Sequence, residues 1–320
     1  MASLKVLRAG PLTTIQDLGR PGHRKDGVSL GGALDRQAAR VANLLAGNDE
    51  NAAVIEVPLG NATFQFQDER VIAWCGGEFT VQLGSDQVPS GHAIRVEAGD
   101  ELTIGSAIRG CRLWLAISGG IDVPLILGSR STDLRAVFGG LEGRALRAGD
   151  ELALGNSVLR PTNARVSSWS APKEWSRTSS AHPTLRLVRG GEWEEFTEAS
   201  QRAFFGEAFT VTPQSDRMGA RLQGAVLERL QPNDRLSEPV APGTVQVPDD
   251  GGPIILLGDC QTIGGYPKIA HVITVDLPLA AQLRPDDSVR FREVTLADAV
   301  ALGRARELDL ERFRIGLQLR

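Results

Sequence analysis

Closely spaced glycine, proline, aspartate and asparagine residues divide the chain into short runs of strand-forming residues. Clear examples are ATFQF at 62–66, VIAW at 71–74, LWLAI at 113–117 and VRF at 289–291. Runs of this length that are rich in β-branched and aromatic residues and bounded by turn formers predict β-strands. The 36 glycines fit many tight turns and bulges. The pattern predicts a mainly β protein built of barrels or sandwiches rather than a doubly wound sheet.

A few segments carry helix signals instead. These are residues 35–48, residues 197–205 and residues 295 to about 308. In the first, Asp35 is a plausible N-cap and Gly47 lies near the predicted end. The third begins with Thr295 and Asp298, which resemble a capping box. We therefore expect a few short helices among the strands.

Two short sequence echoes occur in the chain, and one of them links its two halves. The sequence AGDEL at 98–102 recurs at 148–152, each time before an apolar strand end. The sequence LKVLRAG at 4–10 is echoed by LRLVRGG at 185–191. Both echoes are too short to prove a duplication, but the second has one copy in each half and agrees with two β lobes.

A segment of low periodicity separates the two halves. Residues 160–184 are rich in serine, proline, threonine and arginine, which is typical of a linker. The sequence thus predicts an N-terminal β lobe at 1–159 and a C-terminal β lobe at 185–320 that ends in a helix.

Charge and cysteine content exclude several classes of protein. The chain has 35 Lys plus Arg against 39 Asp plus Glu, which predicts neither a nucleic-acid footprint nor a polybasic membrane patch. The first ten residues lack the apolar core of a signal peptide. Cys75, Cys111 and Cys260 are widely separated, which favours buried free thiols in a reducing compartment. We expect a cytoplasmic protein without nucleic-acid or membrane partners.

The common catalytic signatures are missing. No G-x-x-x-x-G-K-[ST] sequence is present, so a P-loop for ATP is excluded. The glycine-rich stretch at 139–143 lacks a βαβ setting and is better explained as a turn. The four histidines form neither an H-x-H nor an H-E-x-x-H pair, so neither a metal site nor a histidine-based triad is predicted.

A polar loop near the N-terminus is the first candidate site. The stretch TTIQDLGRPG at 13–22 contains Thr14, Gln16, Asp17 and Arg20. In a structural interpretation, Asp17 caps a turn and pairs with Arg20. In a functional one, Arg20 clamps a carboxylate or phosphate that Gln16 or Thr14 orients. The residues alone leave both interpretations open.

The second half contributes three more polar stretches. They are SDRMG at 215–219, QVP at 246–248 and DCQTIGGYPK at 259–268. Successive glycine amides in the last stretch could form a nest that binds an anion. The candidate binding residues are Asp216, Arg217, Gln246, Asp259, Gln261, Gly264 and Gly265, followed by Tyr266 and Lys268 as catalytic candidates. Without a recognisable nucleophile, these loops predict a surface that handles carboxylate or phosphate groups.

The same stretches resemble the biotin-dependent carboxyltransferase, or allophanate hydrolase subunit 2, family, whose bacterial members include the C subunit of 5-oxoprolinase and KipA. The resemblance runs from about residue 4 to about residue 300. Residues 119–124, 131–134, 139–144 and 195–204 resemble the C subunit in particular. Ile263 departs from the pattern, since the family often has threonine there. The resemblance implies two cyclophilin-like β-barrel-type lobes, in agreement with the strand pattern.

The resemblance also implies an activity. It identifies the chain as one component of an ATP-dependent 5-oxoprolinase, inactive alone, which converts 5-oxo-L-proline to L-glutamate. The implied partners are a KipI-like B subunit and a LamB/YcsF-like A subunit, with ATP, and Mg²⁺ where a partner helps to bind it. Arg20, Arg217 and Lys268 would hold carboxylate or phosphoryl oxygens. Asp17, Tyr266 and Lys268 are the catalytic candidates of this hypothesis.

Two alternatives stay open. The chain could be subunit 2 of an allophanate hydrolase or urea amidolyase-type carboxyltransferase. That activity needs a biotinylated partner, because the chain has no Met-Lys-Met attachment sequence. It could also be a KipA-like regulator that antagonises a histidine-kinase inhibitor. The genes encoded beside it would separate the three hypotheses.

Overall fold

The computed structural model describes residues 3–157, 165–176, 180, 182–231 and 236–319. Strands predominate over helices in these residues, which confirms the predicted mainly β fold. The strands are β1 (Ser3–Arg8), β2 (Thr14–Gln16), β3 (Val54–Pro58), β4 (Ala62–Phe66), β5 (Arg70–Leu83), β6 (Asp86–Gln87), β7 (Ile94–Val96), β8 (Glu101–Ile117), β9 (Glu151–Ala153), β10 (Thr184–Arg189), β11 (Phe209–Val211), β12 (Gly219–Gln223), β13 (Glu238–Pro239), β14 (Thr244–Gln246), β15 (Ile254–Leu256), β16 (Ile263–Gly264), β17 (Lys268–Val272) and β18 (Ser288–Glu293).

The helices fall where the sequence signals predict them, with two additional short ones. They are α1 (Arg36–Leu45), α2 (Lys173–Ser176), α3 (Glu198–Gly206), α4 (Leu277–Ala281) and α5 (Leu296–Gln318). Asp35 caps α1 as predicted, because its side chain accepts a hydrogen bond from the backbone N–H of Ala38 at 2.8 Å. No helix among the described residues combines the length and the apolar character needed to span a bilayer.

Helix α5 is longer than the sequence predicts. Thr295 forms the expected cap, since its hydroxyl oxygen accepts a hydrogen bond from the N–H of Asp298 at 3.1 Å. The helix then continues past Leu308 to Gln318. The residues beyond Leu308 are mostly strong helix formers, so nothing local stops the helix where the periodicity weakens.

The chain packs as two compact units. The first contains Met1–Arg20, Gly31–Ser179 and Arg312–Arg320, and the second contains Pro21–Leu30 and Ser180–Glu311. Part of the predicted linker, namely residues 160–164, 177–179 and 181, lies outside the described residues. The boundaries at 159 and 185 therefore stay predictions.

A nine-stranded sheet forms the first unit. Its main path is β2-β3-β8-β4-β1-β9, and the long strand β5 pairs with β8 and also with β6 and β7. Alternate residues of these strands form one core, in which Phe64 and Phe66 are fully buried. Helix α1 packs against β5 and β8. This arrangement places the polar loop after β2 at one edge of the sheet.

A closed seven-stranded barrel forms the second unit, in the order β10-β17-β14-β15-β12-β11-β18. The parallel pairing of β18 with β10 closes it. Phe204, Phe209 and Phe291 pack together, and the rings of Phe204 and Phe291 are stacked 4.6 Å apart. Strands β13 and β16 form a separate two-stranded pair.

The AGDEL echo folds into the same turn in both places. Asp100 and Asp150 each accept a hydrogen bond from the backbone N–H three residues earlier, at 2.9 and 2.7 Å. Gly99 and Gly149 adopt positive φ angles of 90° and 93°, which favour glycine. The turns lead into β8 and β9, so the repeated sequence encodes a repeated local structure.

Candidate functional site

A row of polar side chains lies along strands β14 and β17 of the barrel unit. Thr244 and Gln246 alternate with the fully buried Val245 and so lie on the opposite face of β14. Their partners across the strand pair are His271 and Lys268. Thr244 and Gln246 are each only 1% exposed. The sequence thus buries polar groups where a sheet face usually carries either apolar or solvated residues.

Lys268 lies between two carboxylates. Its Nζ lies 3.0 Å from Oε1 of Glu192 and 2.5 Å from Oε2 of Glu238. Burial disfavours the ammonium, but hydrogen bonds to Glu238 and Glu192 outweigh it, so the pKa of Lys268 lies above its ordinary value. Lys268 is therefore a fixed cation rather than a proton acceptor near neutral pH.

A close approach of two backbones brings Glu192 to Lys268. Gly190 donates a hydrogen bond from its N–H to the carbonyl of Ile269 at 2.8 Å. A Cβ on Gly190 would lie 1.9 Å from the carbonyl oxygen of Lys268, so only glycine fits. Sequence reasoning missed Glu192, and its only signal was the glycine pair that ends the LRLVRGG echo.

Two glutamine amides form the next part of the row. Nε2 of Gln246 donates to the carbonyl of Tyr266 at 3.3 Å, and Nε2 of Gln261 donates to Oε1 of Gln246 at 3.3 Å. A Cβ on Gly264 would lie 2.7 Å from Nε2 of Gln246, so this glycine lets β16 lie against the amide. The ring of Tyr266 is 47% exposed, and Gly265 is half-buried. This arrangement presents amide groups and one phenol close together.

Arg217 and Asp259 form an ion pair beside this row. Nε and Nη2 of Arg217 donate to the two carboxylate oxygens of Asp259 at 2.7 and 3.0 Å. The neighbouring Asp216 accepts hydrogen bonds from the N–H groups of Met218 and Gly219 at 2.7 and 3.2 Å, which caps a turn. Asp216 is thus used locally, while Asp259 orients the guanidinium.

Arg24 is a second residue that sequence reasoning missed. Its Nη2 donates to the carbonyl of Val240 and, at 3.5 Å, to the carbonyl of Gln261. These two residues flank the β13–β16 pair, so Arg24 fixes the base of that pair. Burial raises the pKa of the nearby Cys260 thiol, although the Arg24 charge acts against this shift. No motif pointed to Arg24.

In the first unit, Asp17 is the centre of a buried network. It is 1% exposed, and its Oδ1 accepts hydrogen bonds from the hydroxyls of Ser129 and Ser131, both at 2.6 Å. The N–H groups of Gly19 and Arg130 donate to the same carboxylate at 2.8 and 2.6 Å. Asp17 thus caps its own turn, as the structural interpretation predicts, and also holds a distant loop.

The other first-unit candidates are buried as well. Arg20 is fully buried, donates from Nη2 to the carbonyl of Ser131 and lies 4.6 Å from the centre of the Phe138 ring. Gln16 is fully buried and donates from Nε2 to Oγ1 of Thr14 at 3.0 Å. The candidates therefore form two sets, one in each unit.

Comparison with known proteins identifies relatives along most of the chain. The family model of the carboxyltransferase domain, subdomains A and B, matches residues 26–293. The C subunit of the 5-oxoprolinase of Escherichia coli K12 is 42% identical over 93% of both chains, and that of Haemophilus influenzae is 40% identical over 97% of both. The urea amidolyase of Lachancea kluyveri is 31% identical over 98% of this chain, which spans 18% of that protein.

Solved structures share the fold. The urea amidolyase of K. lactis superposes with a TM-score of 0.90 at 30% identity, covering 97% of this chain and 20% of that one. The protein TTHA0988 superposes with a TM-score of 0.79 at 33% identity, covering 91% of this chain and 55% of that one. These matches support the cyclophilin-like arrangement that the sequence resemblance implies.

Proposed function

The chain belongs to the carboxyltransferase domain family of subdomains A and B, and on that premise we propose that it acts as the C subunit of a 5-oxoprolinase. One observation carries the proposal: the identity of 42% to such a protein extends over 93% of both chains. The urea amidolyase that it resembles is more distant, and this chain spans only 18% of its length.

In the proposed reaction the lactam amide of 5-oxoproline is a poor electrophile. ATP transfers its γ-phosphoryl group to the lactam carbonyl oxygen and leaves as ADP. Water then attacks the former carbonyl carbon, the ring C–N bond breaks as the nitrogen takes up a proton, and γ-glutamyl phosphate forms. A second water hydrolyses this acyl phosphate to glutamate and phosphate. Negative charge develops on oxygen in each of these steps, so fixed cations and N–H donors would accelerate them. We propose a KipI-like B subunit and a LamB/YcsF-like A subunit as partners, with the chain inactive alone.

The row on β14 and β17 supplies suitable groups. Lys268 would stabilise carboxylate or phosphoryl oxygens, because its ammonium stays charged and fixed. The amides of Gln246 and Gln261, the hydroxyl of Tyr266 and the N–H groups beside Gly264 would orient the substrate. Arg217 would add a second cation that Asp259 holds in place.

The first-unit candidates fit a structural role better. Thr14 and Gln16 are bonded to each other, since Nε2 of Gln16 donates to Oγ1 of Thr14 at 3.0 Å. Asp17 accepts hydrogen bonds from residues 129–131 on both carboxylate oxygens, and Arg20 donates from Nη2 to the carbonyl of Ser131. We propose that this network fixes the loop that follows residue 120, while direct contact with substrate is left to the barrel unit.

The test is glutamate release from 5-oxoproline by the reconstituted three-component mixture, with ATP present and with ATP omitted. We expect activity only in the complete mixture. Lys268→Ala should lower kcat by about 100-fold or more, since one stabilising donor is commonly worth that much. Lys173→Ala changes an exposed lysine and is the matched control. Arg20→Ala should lower the yield of folded protein more than the activity of what folds.

The structural match favours a urea amidolyase-type carboxyltransferase as the second candidate function. The TM-score of 0.90 to the K. lactis enzyme exceeds the 0.79 to TTHA0988. This candidate predicts urea-dependent ATP turnover when a biotinylated partner is added. Such turnover, together with no glutamate from 5-oxoproline, would overturn the first proposal. The KipA-like regulatory role stays a prediction that kinase-inhibitor binding would test.

A further inference from the structure

We propose that Glu192 is a positioning residue that fixes the ammonium of Lys268, and that Glu238 contributes far less to this placement. The inference rests on the proposed function only for the reaction in which Lys268 takes part. It assigns a role to a buried carboxylate that lies outside all four polar stretches singled out in the sequence.

The geometry sets Glu192 apart from Glu238. Oε2 of Glu192 accepts a hydrogen bond from the backbone N–H of Lys268 at 2.9 Å, while its Oε1 lies 3.0 Å from Nζ of the same residue. One carboxylate thus binds both the backbone N–H and the ammonium group of Lys268. The strand and the side chain are fixed to a single group, which restricts the rotamers that the four-carbon stem can adopt.

The two carboxylates also differ in burial. The side chain of Glu192 is 8% exposed, whereas that of Glu238 is 54% exposed. An exposed ion pair is screened by water and contributes little. A buried carboxylate with charge-assisted hydrogen bonds keeps its geometry. Glu238 therefore adds charge near the ammonium but does little to fix its position.

The surroundings of Lys268 make its position matter. Gln246 pairs with Lys268 across the two strands, so the ammonium and the glutamine amides belong to one row. The titratable groups that interact with Lys268 are Glu192, Glu238 and His271. Both oxygens of Glu192 are engaged by Lys268, so Glu192 acts through the lysine rather than on a substrate.

The first arm of the experiment measures kcat and KM of the reconstituted complex. Glu192→Gln keeps the size and removes the charge, so we expect kcat to fall by about ten-fold or more while KM for 5-oxoproline changes less than about three-fold. Glu238→Gln is the matched control and should change both constants less than about three-fold. Glu192→Asp restores the charge on a shorter stem and should recover part of kcat.

The second arm does not depend on activity. The chain has four lysines, so 13C-labelled lysine gives few NMR signals, and Lys268→Arg assigns one of them. In Glu192→Gln we expect a lower pKa of Lys268 and side-chain order parameters that approach those of a free lysine. In Glu238→Gln the side chain should stay ordered. If Glu192→Gln does not fold, the same NMR measurement is made on Glu192→Asp.

Two outcomes would overturn the proposal. One is an equal loss of kcat in Glu192→Gln and Glu238→Gln, and the other is a Lys268 side chain that stays ordered without the Glu192 charge. If the wild-type complex releases no glutamate, the proposed function fails, and the NMR arm alone decides whether Glu192 positions Lys268.

Discussion

Asp276 holds Arg186 in the same way that Glu192 holds Lys268. The backbone N–H and Nε of Arg186 donate to Oδ2 of Asp276 at 2.7 and 2.9 Å, and Nη2 donates to Oδ1 at 2.5 Å. Both pairs lie in the barrel unit, and in both the carboxylate is nearly buried. The barrel unit thus contains the same arrangement twice. One copy lies in the proposed site, and the other, at Arg186 and Asp276, has no proposed role in the reaction.

Asp276→Asn should therefore destabilise the fold without altering the reaction. The amide NH2 group would replace one carboxylate oxygen and face one or two of these donors, and the charge would be lost, so we expect the free energy of unfolding to fall by about 2–4 kcal/mol. Chemical denaturation measures this change, with Glu207→Gln as an exposed control. In the folded complex kcat should stay within about three-fold of wild type. A large loss of kcat at unchanged stability would contradict the structural role.

Asp17→Asn tests the role of the first-unit network. Asp17 accepts hydrogen bonds from two hydroxyls and two backbone N–H groups, and an amide can satisfy only part of them. We expect a loss of about 2–4 kcal/mol in stability, measured by denaturation beside the exposed control Asp122→Asn. The remaining folded protein should keep its turnover. A stable but inactive variant would support instead the catalytic role that the sequence predicts.

Gly264→Ala tests the contact between β16 and the glutamine pair. The new methyl group would lie 2.7 Å from Nε2 of Gln246 and 3.3 Å from Nε2 of Gln261, so both amides must move. We expect kcat/KM to fall by about ten-fold, which corresponds to about 1.4 kcal/mol. Gly303→Ala is the control, because nothing lies within 4 Å of a Cβ at that position of α5. Unchanged steady-state kinetics in Gly264→Ala would argue against a role for these amides.

The stability of the protein should fall between pH 7 and pH 5 in a way that depends on His271. Burial lowers the pKa of His271, the Lys268 charge adds to the shift, and the Glu192 charge opposes it. The pKa of His271 is about 6.5 in the unfolded chain and lower in the folded one, so below pH 6.5 the unfolded chain takes up a proton on His271 more readily. The free energy of unfolding therefore decreases as the pH falls, until the pH lies below the folded pKa.

His271→Gln removes this contribution. Between pH 7 and pH 5 the variant should lose less stability than wild type, as measured by thermal unfolding at matched ionic strength. Identical pH dependence in wild type and His271→Gln would contradict the prediction.

Local structure could be predicted from the sequence wherever the signal is local. The cap at Asp35 and the strand at 62–66 follow from residues within a few positions of each other, and both are confirmed. Groups far apart in the chain left no such signal. Glu192 contacts Lys268 across 76 positions, and Arg24 contacts Gln261 across 237. The burial of Arg20 likewise depends on Ser131 and Phe138, which the sequence does not link to it.

Closure of the seven-stranded barrel limits how another chain can bind it. Each barrel strand is hydrogen-bonded on both sides, and the β18–β10 pairing closes the ring. Among the described residues the barrel therefore offers no free edge to which a further strand could be added. A partner that binds the barrel must contact its side chains and loops instead of pairing with a strand backbone. Its binding will therefore depend on which residues lie on the barrel surface.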